Sequence, residues 1–368
     1  MSRRIGIAGA GSIAFGCAAF LMEAGHAVTL WSPSGKGTEA LAAGAPLRAE
    51  GAVTAEVRPD VATSAAALAE GAEVILIALP LYGHRTVLDA LAPHLRDGQT
   101  VVISSHGAFG ALYLSDKLAA RGLRLPIVAM GTTLLTGRRQ GPDLVRVNTV
   151  RNRVDICTVP EDLRAEGEAV FADLAGDRGV PRDGLLAITL SNLNPQNHMG
   201  IALCNMTRME HGEDWGQGAN VTPNVGRLLE ALDAERLAVA GALGLEVKTI
   251  FEHFHQSFHV PVGSISEMNQ EMAQKGTGGT GPATADSRYV TEDVPYGLAT
   301  TVAVARLAGV PVPLHAAGVT VFSALYGRDF AAENDLLTAL DLGSMDIRAL
   351  DTACRKGKVP SEEHAASD

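Results

Sequence analysis

The sequence predicts an α/β protein, with a parallel, doubly wound sheet in the N-terminal half and a mainly α-helical C-terminal domain. Three observations carry this. A glycine-rich turn joins a strand to a helix within the first two dozen residues. Strand and helix signals then alternate as far as residue 130. Beyond residue 185 the strand signals stop and helical periodicity takes over.

The first element is the apolar strand Ile5-Gly-Ile-Ala8. Gly9-Ala-Gly11-Ser12-Ile13-Ala14 follows, then an apolar helix ending near Gly25, and a second strand, Val28-Thr-Leu-Trp31. This is the GxGxxA form of a dinucleotide-binding fingerprint. Gly9 permits the tight turn and Gly11 lets the backbone approach a pyrophosphate. Ala14 allows close packing, and the N–H groups of Ser12 and Ile13 open a helix whose N-terminus favours anions. Ser2-Arg3-Arg4 before the uncharged run 5–22 imitates a signal peptide. The four glycines inside that run divide it into strand, turn and helix instead.

Alternation continues with strands at 73–79, 100–104 and 126–130 and helices at 81–95 and 111–121. In such a Rossmann-like sheet ligands lie beyond the strand C-termini, so the turns Leu79-Pro80-Leu81 and Ser104-Ser-His-Gly107 are expected to line a cofactor. An acid at the end of the second strand would bind the ribose hydroxyls of NAD. Here the chain reads Trp31-Ser32-Pro33-Ser34-Gly35-Lys36, with no acid before Glu39. The hydroxyls of Ser32 and Ser34 and the cation of Lys36 suit a 2′-phosphate, so NADP(H) is the expected preference, with NAD(H) as the alternative.

Strands are expected within 146–160 and a helix over 161–174. Helical patterns then run over 194–240, 248–258, 294–307 and 313–325. The expected division is a dinucleotide-binding domain over 1–185, a helical substrate domain over 186–355 and a flexible tail over 356–368.

Composition bounds the function. The 368 residues are 46% hydrophobic, and the net charge is −11, which opposes nucleic-acid binding. Cys17, Cys157, Cys204 and Cys354 show no CxxC spacing, as expected of reduced thiols in a cytoplasmic protein. No membrane association is expected. Helical second domains often pair two copies, so a homodimer fits, although no interface can be read.

Two segments of the C-terminal half carry chemistry. Asn194-Pro195 is a good helix start, which puts His198 in the first turns of the first helix after the nucleotide domain. Residues 288–296, Arg288-Tyr-Val-Thr-Glu-Asp293-Val-Pro-Tyr296, gather a guanidinium, two carboxylates and two phenols, with a new helix expected at Val294-Pro295. Arg288 can grip a carboxylate bidentately, Asp293 can orient a histidine or cap the following helix, and Glu292 suits the positive end of that helix.

Together these segments resemble the octopine/nopaline (opine) dehydrogenase family over nearly the whole chain, most specifically at 288–296. The resemblance assigns the family's catalytic histidine to His198, its partner aspartate to Asp293 and its substrate-binding arginine to Arg288. It implies NAD(P)H-dependent condensation of an amino acid or other amine with a 2-oxo acid, to give an N-(carboxyalkyl) amino acid. Histidine suits such a reaction, which needs one group to take and return protons near neutral pH.

A hydroxy-acid or ketopantoate-type NADP dehydrogenase on the same scaffold is the alternative. Its lysine-dependent forms are disfavoured, because no lysine lies between Lys117 and Lys248. A non-catalytic nucleotide-binding module is a third reading. His255 and His259 have i, i+4 spacing but no evident third ligand, so no metal is expected. The glycine-rich stretch 276–282 is read as a mobile loop that orders over substrate.

Overall fold

The computed structural model describes residues 2–360, which form two compact units: residues 2–189 with 348–360, and residues 190–347. The first unit begins β1 (Arg4–Ala8), α1 (Ser12–Glu23), β2 (Ala27–Trp31), α2 (Glu39–Ala42), β3 (Leu47–Gly51), β4 (Ala55–Val57), β5 (Asp60–Val61), α3 (Ala65–Gly71) and β6 (Val74–Ile77). It continues α4 (His84–Leu91), β7 (Thr100–Ile103), α5 (Gly110–Ala119), β8 (Ile127–Met130), β9 (Leu135–Arg139), β10 (Leu144–Val150), β11 (Val154–Val159), α6 (Arg164–Ala175), β12 (Gly179–Pro181) and α7 (Gly184–Ser191).

The main sheet has eight strands in the order β12-β11-β8-β7-β6-β1-β2-β5. The reversal of direction around β1 is the doubly wound arrangement expected from the alternation. One edge departs from the expected all-parallel sheet, because β11 pairs antiparallel with β8. Such an edge on a parallel sheet is a common mixed form.

A second, four-stranded sheet, β4-β3-β10-β9, covers α1 from the other side. This explains the uncharged run 5–22. A helix lying between two sheets must be apolar nearly all round, and Ala14 through Ala19 and Leu21 are all buried. The fit is close: a Cβ on Gly16 would stand 2.6 Å from a methyl of Leu135 on β9.

The second unit is helical among its described residues: α8 (Asn194–Glu210), α9 (Pro223–Ala242), α10 (Ile250–Phe258), α11 (Ile265–Gln274), α12 (Arg288–Thr291), α13 (Ala299–Ala308), α14 (Pro313–Tyr326) and α15 (Asp335–Ala339). Its core is built from Met199, Ile201, Leu229, Leu232, Met268, Val290 and Phe322, among others. The polar residue spacing Ser264-Ile-Ser-Glu267 forms a complete capping box at the start of α11.

The domain boundary at the C-terminal end differs from the expectation of 186–355. The last helix, α16 (Ile347–Lys356), packs from residue 348 onward with the first unit. Leu350, Ala353 and Cys354 are buried there, and Arg355 pairs with Glu161 at 3.2 Å and Asp183 at 3.0 Å. The expected tail is partly tied down as well, since the Val359 N–H donates to Asp116 at 2.8 Å. Its remainder, 361–368, lies outside the described residues.

All four cysteines are free, and Cys204 alone is exposed. No described helix is long and apolar enough to cross a membrane.

Candidate active site

The glycine turn has the backbone the fingerprint requires. Gly9 sits at φ +140°, and a Cβ there would meet the Ala78 carbonyl oxygen at 2.2 Å. No other residue fits that corner. Gly11 begins α1 with extended geometry, and a Cβ on it would meet nothing within 4 Å. Open space on that side, beside the first N–H groups of a 12-residue helix, is what an approaching pyrophosphate needs. Ala14 is fully buried below the turn. The residues fit a dinucleotide.

The Ser12 hydroxyl accepts the Arg139 N–H at 2.9 Å. The Arg139 guanidinium donates to the carbonyls of Ala10, Gly141 and Pro142 and lies over the Phe15 ring, 4.4 Å from its centroid. It braces the fingerprint from the second sheet. The sequence reading missed it, because β9 itself was not recognised.

In the loop after β2, the Ser32 hydroxyl is buried and donates to the Lys36 carbonyl at 2.6 Å, and the Lys36 N–H donates to Ser34 at 3.3 Å. These serines shape the loop, while the Lys36 side chain is exposed. After β6, Pro80 is extended and the Leu79 carbonyl is bonded to His84 Nε2 at 3.1 Å.

The helical unit holds the other cluster. His198 lies in the second turn of α8, and its Nδ1 meets Asp293 Oδ2 at 2.7 Å, with both side chains less than one-fifth exposed. The expected pairing of these two residues across 95 positions is present. The alternative role of Asp293 as an N-cap is not. Its backbone is already helical, and its side chain makes no capping bond.

The helix expected at Val294-Pro295 starts as a π-turn, Val294–Leu298, in which the Ala299 N–H reaches back to Val294. Such turns recur at functional sites. Here the turn brings Gly297 against the start of α8: a Cβ on Gly297 would fall 2.2 Å from Pro195 Cγ. This close approach brings Asp293 to His198. A Gly297→Ala substitution is expected to cost about 1–3 kcal/mol through overpacking against a rigid ring and to cut turnover at least as sharply as stability. Thermal unfolding and kcat measured together check this; unchanged values for both would show that the contact yields freely.

The short helix α12 positions the rest. Tyr289 and Asp293 are one turn apart, and the Tyr289 ring stacks flat on His198, with centroids 3.6 Å apart and planes 9° from parallel. Arg288 pairs through Nε with Glu292. Glu292 is buried and holds the arginine, where the sequence suggested only a favourable helix-end charge. Tyr296, the other phenol of the segment, bonds to the Glu333 carbonyl and to Asp335, and burial, then Asp335, raises its pKa.

The glycine-rich stretch 276–282, read from sequence as a mobile lid, is bonded in place. Gln217 and Gly218 donate to the carbonyls of Gly279 and Gly278, Gly281 donates to Trp215, and the Trp215 indole donates to Pro282. A Cβ on Gly281 would lie 2.2 Å from the indole ring, so glycine is needed for this packing. His255 Nδ1 meets the Val260 carbonyl at 2.8 Å, and the described residues contain no group of three or more potential metal ligands.

Residues 181–326 match the family described as NAD/NADP octopine/nopaline dehydrogenase, alpha-helical domain, and residues 5–160 match ketopantoate reductase PanE/ApbA. An opine dehydrogenase of Arthrobacter sp. (strain 1C) is 29% identical over 96% of this chain and 99% of its own. The protein ocs of Agrobacterium tumefaciens (strain Ach5) is 23% identical over 76% of this chain and 78% of its own. Among solved structures, octopine dehydrogenase with NADH and L-arginine shares the fold at TM-score 0.81 and 18% identity, covering 99% of this chain and all of that one. Yersinopine dehydrogenase with NADP+ does so at TM-score 0.70 and 16% identity, covering 97% and 98%.

Proposed function

We propose, on the premise that this chain is an NAD(P)-dependent oxidoreductase of the opine dehydrogenase family, that it condenses an amino acid or other amine with a 2-oxo acid and reduces the resulting imine. The observation that carries this reading is the His198–Asp293 pair, held at 2.7 Å in the helical domain, with Arg288 in the short helix that leads to Asp293.

The amine must lose a proton to attack the ketone carbon, and the carbinolamine must gain one to expel water. Asp293 accepts the Nδ1 proton of His198, which leaves Nε2 as the nitrogen that exchanges protons with the amine and with the departing hydroxyl. Arg288, with a side chain two-thirds exposed, supplies the charge that holds the 2-oxo acid carboxylate. The buried Glu292, paired with the Arg288 Nε, orients that charge. A dinucleotide bound by the first unit would supply the hydride that reduces the imine. Gly9, Gly11, Ser12, Ile13 and Ala14 would hold its pyrophosphate, and Leu79 and Pro80 would line the same cleft.

For the adenosine end we propose a preference for NADPH. No acid lies between Trp31 and Glu39 to repel a 2′-phosphate, and Lys36 is exposed on the loop that would meet it.

One assay tests the reaction and the preference together. Oxidation of NADPH is expected only when a 2-oxo acid and an amine are both present, and faster than with NADH at equal concentration. Oxidation with the keto compound alone would replace this reading with the hydroxy-acid one. Equal or faster rates with NADH would remove the cofactor preference only.

A further inference from the structure

We propose that Tyr289 is a positioning residue for His198, fixing the plane of the imidazole while Asp293 fixes one of its nitrogens. The inference rests on the relay role given to His198 above. A histidine has two side-chain torsions. One hydrogen bond at Nδ1 anchors a point on the ring but allows the ring to swing about that point. A second restraint against the ring face removes the swing and sets the direction of Nε2.

The chain supplies both restraints from one helical turn. Tyr289 and Asp293 stand at i and i+4, so their side chains share a face of α12 and its continuation. Asp293 takes Nδ1 at 2.7 Å, and the Tyr289 ring covers the imidazole at 3.6 Å between centroids and 9° between planes. The turn is itself anchored, because the Ser287 hydroxyl accepts the Tyr289 N–H at 3.3 Å.

The far end of the phenol is also held. Its O–H donates to Gln217 Oε1. The Gln217 backbone belongs to the ladder joining 215–218 to 278–281, locked by the Trp215 indole against Gly281 and Pro282. A neutral amide oxygen is a poor destination for a proton, so the hydroxyl serves as a tether and does no acid–base work. The glycine-rich stretch therefore acts on the site at second hand, as the footing of the ring that steadies His198.

The test compares Tyr289→Leu, Tyr289→Phe and Gln217→Leu in the full-length chain. Small misplacements of a reacting group cost on the order of 10²-fold. Tyr289→Leu is expected to lower kcat by roughly 30- to 100-fold, with KM for the reduced cofactor unchanged. Tyr289→Phe keeps the stack and loses only the tether, and should stay within roughly fivefold of the parent; Gln217→Leu should behave alike.

Ring protons of His198, assigned by their loss in His198→Ala, should resonate upfield in the parent and in Tyr289→Phe, and move downfield in Tyr289→Leu. Three results overturn the proposal: Tyr289→Leu turning over at the parent rate, Tyr289→Phe as damaged as Tyr289→Leu, or no displacement of the His198 resonances by any variant. If Tyr289→Leu fails to fold, Tyr289→Met, which also removes the stacked ring but keeps its bulk, takes its place in both readouts. A parent chain that condenses no amine with any oxo acid sinks the functional reading instead, and the resonances then decide the stacking by themselves.

Discussion

His198→Ala is expected to lower kcat for amine-dependent cofactor oxidation by about 10²- to 10⁴-fold, the range general acid–base groups contribute. The melting temperature should change little, because the side chain lies at the site surface, 19% exposed, and leaves no sealed cavity. Asp293→Asn should cost a comparable factor for a different reason. An amide in place of the carboxylate can present an N–H to Nδ1, which moves the imidazole proton to Nε2 and inverts the role of that nitrogen. The two residues act as a unit, so the double variant should be hardly worse than His198→Ala. Multiplying losses would show that they act separately. Turnover above one-tenth of the parent in a folded His198→Ala would end the relay assignment.

Mild acid is expected to unfold the N-terminal unit, through two histidines that take no part in the chemistry. His84 and His106 are 1% and 0% exposed. Burial lowers the pKa of His84 to about 4, against the pull of the Leu79 carbonyl. Burial, and then the neighbouring His84, lowers that of His106 to about 3. Neither ring nitrogen of His106 has a hydrogen-bond partner among the described residues.

In the unfolded chain both titrate near 6.5, so below that pH the unfolded state binds more protons than the folded one and stability falls as pH falls. Two such groups approach a slope of about 2.7 kcal/mol per pH unit near pH 5, between their unfolded and folded pKa values. A loss of that size over two units is comparable with the whole stability of many domains, about 5–15 kcal/mol. Urea unfolding followed by Trp31 fluorescence in a Trp215→Phe background, at pH 7 and pH 5, measures the slope. His106→Leu should reduce it by half. Equal unfolding midpoints at the two pH values would show that protons or water reach these rings in the folded state.

Both histidines belong to turns expected to line the cofactor: His84 bonds the Leu79 carbonyl, and the His106 N–H donates to Met130. The sequence marked those turns because they follow strands. It gave no sign that their histidines would be sealed, since burial of a polar ring depends on what packs over it.

Other elements divide in the same way. The strands β1, β2, β6, β7 and β8 were legible as short apolar runs, because a strand covered on both faces must be apolar throughout. The second sheet was not. Leu47-Arg-Ala-Glu-Gly alternates and carries charge on its outer face, and its partner β10, which pairs Leu144 with Arg48, lies far along the chain. Arg139 went unread with that sheet, although it braces the nucleotide turn. The glycine-rich stretch 276–282 looked mobile because local composition is silent about Trp215, far earlier in the chain, which holds it.

By itself the sequence determined the parts whose physics is local. These are the corner at Gly9 that only glycine can turn, the helix beginning at Asn194-Pro195, and the one-turn spacing that puts Tyr289 with Asp293 and Arg288 with Glu292. Tertiary structure alone decided which parts meet. The missing Cβ of Gly297 lets a π-turn settle on Pro195, and that contact turns an aspartate that could have capped a helix into the partner of a histidine 95 positions away. Capping is satisfied by neighbours in the chain, whereas a carboxylate–imidazole pair across 95 positions needs two elements to be packed together, and packing is a property of the whole core.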